Sequence, residues 1–324
     1  MKLVIQIPCL NEEATLPATL ADLPRELPGF DEVEWMVVDD GSTDRTAEVA
    51  REHGVAHVVR MNGNQGLARA FMAGLEAAVE RGADVIVNTD ADNQYRGDDV
   101  HLLVEPILEG RADLVVGSRP ISAIRHFSPL KRMLQKLGSA VTRALSRTVV
   151  RDAPSGFRAF SRDAALRLNV FSSYTYTLET VVQAGHSNLR VVDVPIRVNP
   201  PTRKSRLIRS LDRYVRRGVV DLIGTWLVYR PVRAFGVLSA LFLLPAVVLA
   251  VRYLVYVALG EGAGHVQSVI ASGVLATCGV LTLGMGIVAH LLGVNRRLLE
   301  ELRYLARKNR DRLRRPERST DDDD

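Results

Sequence analysis

The chain has 324 residues and a net charge of +5, with 47% of its residues hydrophobic and 24% charged. That length holds one α/β domain of ordinary size plus something smaller. Its two cysteines, Cys9 and Cys278, exclude a disulfide framework or a cysteine-built metal centre, and no zinc-finger or RNA-binding signature points to nucleic acid.

The opening run MKLVIQIPCLNEE breaks at Pro8 and is too short for a signal-peptide core, so this part of the chain is expected in the cytosol. Through the first two hundred residues, short β-branched runs alternate with longer helical patterns, the mark of a mostly parallel sheet covered by helices. Leu3–Ile7, Trp35–Val38, Val58–Val59, Val85–Val87 and Leu114–Val116 read as buried strands, followed by Arg158–Phe160 and Arg190–Val194. Between them, Glu13–Leu23, Asp44–His53 and Leu67–Arg81 carry apolar residues at helical spacing.

Ser205–Val220 interleaves Arg206, Arg209, Arg213, Arg216 and Arg217 with apolar residues, the pattern of a basic amphipathic helix at a membrane surface. Ala234–Leu259 and Val266–Leu292 are each apolar over more than the roughly 20 residues needed to cross a bilayer. Their connector, Gly260–His265, has no Lys or Arg, whereas Arg230 and Arg233 precede the first span and Arg296 and Arg297 follow the second. The positive-inside rule then places both chain ends in the cytoplasm of a multi-pass plasma-membrane protein. Ser268, Ser272 and Ala276 recur every four residues, a stripe suited to close packing against the first span or against a second copy of the chain. The expected divisions are a catalytic domain over 1–203, an interface-helix region over 204–232, a transmembrane hairpin over 233–295 and a basic cytoplasmic tail over 296–324. For residues after Arg303, lipid attraction and a merely solvated tail are equally good readings.

Two acidic clusters carry the chemistry. Asp39-Asp40-Gly41-Ser42-Thr43-Asp44 follows the strand Trp35–Val38 directly, and ligands of a parallel sheet collect at the carboxyl ends of its strands. Its carboxylates are placed to accept hydrogen bonds from a ribose or base. Asp90-Ala91-Asp92-Asn93-Gln94 follows Val85–Val87. Carboxylates two apart in an extended segment face the same side, where they repel each other unless a hard cation such as Mg²⁺ or Mn²⁺ joins them.

These clusters, about fifty residues apart and preceded by Pro8-Cys9-Leu10-Asn11-Glu12, resemble those of the family 2 glycosyltransferases of GT-A fold. Within that family the chain is most similar to dolichol-phosphate mannose synthases and bacterial polyprenyl-phosphate glycosyltransferases, over about residues 3–210. The resemblance implies a nucleotide-sugar donor held by Pro8, Asn11, Glu12, Asp39, Asp40, Asp90 and Ala91, with Asp92 and Gln94 on the metal. It implies a polyprenyl-phosphate acceptor whose phosphate meets Arg119, Arg132, Arg203 and Arg206, so that Asp92, Arg119 and Arg206 carry catalysis. Ser155-Gly156-Phe157-Arg158 and Glu179 match further family positions. Arg206 stands where the family element has Lys, and Pro200 and Arg203 replace its upstream arginine and glycine. Arg125, Lys131, Arg132 and Lys136 read equally as phosphate captors or as a solvated basic face. Two rival readings are a synthase with a hydroxyl acceptor, using Glu179 or Asp152 as its base, and a scaffold without activity. The Gln-x-x-Arg-Trp element of processive synthases is absent, the only tryptophans being Trp35 and Trp226.

Overall fold

The computed structural model describes residues 1–120, 148, 150–170, 176–200, 224, 227 and 230–314. Arg132, Arg203 and Arg206, and the basic helices expected around them, lie outside the described residues. Contacts group Met1–Gly218 with Glu301–Asp324 in one unit, and Val219–Glu300 in another.

In the first unit the strands are β1 (Lys2–Cys9), β2 (Glu32–Asp39), β3 (His57–Arg60), β4 (Val85–Asn88), β5 (Leu114–Ser118), β6 (Arg158–Ser161) and β7 (Val191–Pro195). They form one seven-stranded sheet in the order β3-β2-β1-β4-β6-β5-β7. All neighbours are parallel except β6, which runs antiparallel between β4 and β5. The helices are α1 (Leu16–Asp22), α2 (Thr46–Glu52), α3 (Leu67–Glu80), α4 (Val100–Leu108), α5 (Arg162–Arg167) and α6 (Thr177–His186).

Strands buried on both faces read as continuous apolar runs, and the central strands do so. Leu3, Ile5, Ile7, Val85 and Val87 pack with Leu16, Leu20, Val100 and Leu103 on one face. Val4, Met36, Val38 and Ile86 pack with Phe71, Leu75 and Phe160 on the other. Parallel registers pairing Cys9 with Asp39 and Gln6 with Asn88 bring the carboxyl ends of β1, β2 and β4 to one edge of the sheet. Two helices start later than their apolar spacing suggests. The Glu12 and Glu13 amides donate to Thr46 Oγ1 and Asp44 Oδ2 across the loops, and Asp44 Oδ1 accepts from the Thr46 amide, an Asx-turn.

The second unit is built from α7 (Pro231–Ala258), a short 3₁₀ turn at Gly262–His265, and α8 (Val266–Arg314) up to Glu300. Both helices are long and apolar enough to cross a membrane, and only 17% and 11% of their most apolar windows are buried, unlike the core helices of a soluble domain. Ser239 Oγ donates to Gly279 O at 2.7 Å and Ser272 Oγ to Ala246 O at 2.8 Å. A Cβ at Gly279 would lie 2.6 Å from the Leu243 side chain. Of the small-residue stripe, Ser272 is thus engaged within the hairpin.

α8 does not stop at the expected end of the span, Leu292, but runs on to Arg314. Its last turns belong by their contacts to the first unit. Tyr304 is buried, donates to Asp163 Oδ1 at 2.6 Å and lies under Arg167. Arg303 and Arg307 pair with Glu76, and Arg314 with Glu80. Asp311 forms a forked ion pair with Arg162, both side chains about 15% exposed. Part of the basic surplus is therefore spent on α3 and α5. Removing one partner of a buried pair costs about 3–5 kcal/mol, so Asp311→Ala is expected to lower the melting temperature of the purified protein by several degrees. An unchanged melting curve would count against this docking.

Candidate active site

The loops after β1 and β2 are stitched together. Asn11, at φ +54°, donates its amide to Ser42 Oγ at 2.9 Å and accepts from the Thr43 amide at 2.8 Å. Gly41, at φ +74°, lies so close to the next loop that a Cβ there would meet the Gly63 carbonyl carbon at 2.4 Å. Only glycine fits that turn and that approach.

The two leading aspartates separate in role. Asp39 is fully buried, and its Oδ1 accepts from the Ser42 amide at 2.8 Å. Its Oδ2 makes no hydrogen bond, with Arg60 Nε at 3.4 Å. A buried acceptor left open is costly unless a ligand completes it. Asp40, expected on the donor, instead accepts the amides of Gln65 and Gly66 at 2.7 and 2.9 Å, clamping the loop that enters α3. Both aspartates are buried, Asp39 as the last residue of β2 and Asp40 just beyond it. Pro8 and Cys9 are buried in β1, where burial pushes the Cys9 thiol well up and keeps it unreactive. Glu12 Oε2 accepts from Thr15 Oγ1 at 2.6 Å.

Beyond β4 the chain turns at Ala91 and Asp92 rather than staying extended. Ala91 is buried and its carbonyl accepts from Thr19 Oγ1 at 3.0 Å. Asp92 Oδ1 accepts from the Gln94 amide at 3.2 Å. Burial first, and the Asp92 charge second, push the Asp90 carboxyl up to about 7. Asp90 lies against Gly156, where a Cβ would sit 2.7 Å from both carboxylate oxygens. The Gly156 amide donates to the Tyr95 hydroxyl at 2.9 Å, and its carbonyl accepts from Asn88 Nδ2 at 2.8 Å. Asn88 in turn accepts from Gln6 Nε2 at 2.9 Å, a buried polar network beneath the carboxylates.

Arg119, at the end of β5, is held by a fork on Asp152, with Nε to Oδ2 at 2.7 Å and Nη2 to Oδ1 at 3.0 Å. The side chains are 9% and 1% exposed. Burial opposes the guanidinium charge, but the acids around it, Tyr95 and Asp152 foremost, raise its pKa. Asp152 is thereby occupied and cannot act as the free base that a hydroxyl acceptor requires. Arg119 Nη1 also donates to Gln94 Oε1 at 3.3 Å, tying the acidic loop to the cation. Glu179 sits in the first turn of α6.

Sequence reasoning missed the parts played by Asp152, Tyr95, Asn88 and Gln6. Their partners lie up to 88 residues away, so no local spacing marks them. Among the described residues no group of three or more His, Cys, Asp or Glu could hold a metal by itself. Two carboxylates, one driven toward neutrality by burial and then by the other's charge, together with an amide oxygen, do fit Mg²⁺ or Mn²⁺, hard cations that take one or two carboxylates and complete their shell from phosphates and water.

A sheet whose parallel strands end in paired carboxylates beside a fixed guanidinium defines a nucleotide-sugar-binding GT-A-like domain. The glycosyl transferase family 2 model matches residues 4–168, and the chain belongs to that family and is a glycosyltransferase. It is similar to an undecaprenyl-phosphate mannosyltransferase from Micrococcus luteus, with 32% identity covering 60% of this chain and 83% of that protein. A polyprenol monophosphomannose synthase from Mycolicibacterium smegmatis is 29% identical over 60% of this chain and 76% of its own length. A UDP-N-acetylglucosamine–dolichyl-phosphate N-acetylglucosaminyltransferase from Methanococcus voltae is 31% identical over 59% and 83%. Among solved structures, glucosyl-3-phosphoglycerate synthase from Mycobacterium tuberculosis, in complex with Mn²⁺, UDP and glucosyl-3-phosphoglycerate, shares the fold at a TM-score of 0.55. Its identity is 23%, over 69% of this chain and 79% of that one.

Gly156→Ala tests the seat of Asp90. A methyl group 2.7 Å from both oxygens must displace the carboxylate, and displacements of about 1 Å cost roughly a hundredfold in rate. Transfer is expected to fall by that order with the fold retained. Wild-type turnover would show that Asp90 needs no such seat.

Proposed function

We propose that this enzyme transfers a single sugar from a nucleotide-sugar, a UDP-sugar such as UDP-glucose or GDP-mannose, to polyprenyl (undecaprenyl or dolichyl) phosphate at the cytoplasmic membrane face. The reaction inverts the anomeric configuration and depends on Mg²⁺ or Mn²⁺. The observation that carries the reading is the Asp90–Asp92 pair beside the Asp152-held Arg119 guanidinium, in a chain that also has two membrane-length apolar helices. The named acceptors of the three curated relatives support the same choice of acceptor.

Each part of the site has a task in this reading. The open Asp39 Oδ2 accepts a donor N–H or O–H from the nucleoside. Asp92 and Gln94 hold the cation, with Asp90 alongside, and Pro8, Asn11, Glu12 and Ala91 wall the donor. When bound, the cation neutralises charge on the departing nucleotide diphosphate. Arg119, fixed in its fork, presents donors to phosphate oxygens at little entropic cost. A phosphate monoester has a second pKa of about 6, so the acceptor arrives already ionised and no general base is required. Direct attack by that oxygen on the anomeric carbon inverts it. Arg132, Arg203 and Arg206 serve the acceptor phosphate, and positioning with electrostatics supplies most of the rate.

Asp92→Ala is expected to abolish transfer in a folded, membrane-bound protein, and chelation of divalent ions should do the same to the wild type. Full activity in excess EDTA would refute the metal assignment. Arg206→Ala should raise the Michaelis constant for polyprenyl phosphate about ten- to hundredfold, the worth of a charge-assisted hydrogen bond of about 1.5–3 kcal/mol. The constant for the donor should stay unchanged. An equal loss for both substrates would remove Arg206 from the acceptor site. For the membrane side, a cysteine at Gly262 should react with an impermeant reagent outside intact cells and one at Glu26 should not, and the reverse pattern would overturn the topology.

A further inference from the structure

Among the described residues Arg158 is the largest fully buried side chain, and it forms no ion pair there. A buried cation without an acid partner is expensive unless its donors are all satisfied. Here the compensation comes from one short loop and one helix. Nε donates to Ser155 O at 2.7 Å, Nη2 to Ala153 O, and Nη1 to Thr180 Oγ1 on α6. The hydroxyl of Ser155 is itself buried without a hydrogen-bond partner, so the loop is not held by its own side chain there.

The loop ends on two groups of the active site. Asp152 carries the fork to Arg119, and Gly156 carries the face against which Asp90 lies. A hydrogen bond from the Ser155 amide to Asp152 O at 3.0 Å closes the turn between them. We propose that Arg158 is a positioning residue that fastens the 152–156 loop to α6, and so sets the spacing between the Arg119 guanidinium and the Asp90 carboxylate. This rests on the reading of those two groups as parts of the transfer site. Arg158 touches neither substrate in this assignment; besides its through-space charge at Asp90 and Asp152, it acts through the loop.

The test uses the full-length protein with Arg158→Lys, which keeps the charge but not the fork, Thr180→Val, which removes one acceptor at nearly constant volume, and Thr180→Ser, which keeps it. Two measurements are made: amide hydrogen exchange, and steady-state transfer to polyprenyl phosphate. Loss of a charged hydrogen bond worth roughly a factor of ten should speed exchange at Arg119, Ser155 and Gly156 by about that much in Arg158→Lys and Thr180→Val. Exchange in β1 and β2 should stay as in the wild type. The turnover number should fall about tenfold, both Michaelis constants should hold, and Thr180→Ser should behave as wild type. Unchanged exchange in the loop would overturn the proposal, as would faster exchange throughout the sheet with turnover intact, the signature of a merely structural role. If the wild type moves no sugar to polyprenyl phosphate, the acceptor reading fails, and the loop's exchange alone decides the role of Arg158.

Discussion

Two carboxylates at the end of one buried strand repel each other, and the catalytic unit is organised around that conflict. Asp90 lies against Gly156, whose carbonyl accepts from Asn88 in the Gln6–Asn88 network. Asp92 cannot leave easily, since its carboxylate takes the Gln94 amide inside a tight turn. Burial first, and the Asp92 charge second, push the Asp90 carboxyl to about 7. Arg119 relieves part of the repulsion, and its own charge is secured by Asp152. In the proposed reading a hard divalent cation would complete the balance and make the acidic pair a binding site.

Much of the fold was legible because its signals are local. Short runs, most of them rich in β-branched residues, marked all seven strands to within a few residues, and apolar spacing marked α1, α2 and α3. The apolar spans were equally plain, since membrane-length segments are set by composition. Helix starts were less so: Asp44 and Thr46 use side-chain bonds to delay α2, a competition that periodicity does not register.

The candidate site was legible as two clusters, but not in its division of labour. DDGSTD reads as a block of equivalent acids, yet Asp39 keeps an open oxygen while Asp40 is consumed by the Gln65 and Gly66 amides. Arg119 stood out, but its dependence on Asp152 arises from pairing across 33 residues. The arginines near the C-terminus carried opposite possibilities in the sequence. Arg303, Arg307 and Arg314 resolve toward Glu76 and Glu80, because the helical phase of α8 brings them to the acidic face of α3.

The chemistry of the acceptor is the central claim, and charge separates its alternatives. In the proposed reading, the fixed Arg119 guanidinium suits a phosphate that arrives ionised, whereas a neutral alcohol would need a base such as Glu179 to deprotonate it. The direct measurement is to incubate the purified protein with radiolabelled nucleotide-sugars, Mg²⁺ or Mn²⁺, and either polyprenyl phosphate or free polyprenol, and to count label in the lipid phase. Label should enter the phosphate lipid from one of the donors and not enter the alcohol. Efficient labelling of free polyprenol would contradict the base-free mechanism and the acceptor assigned here.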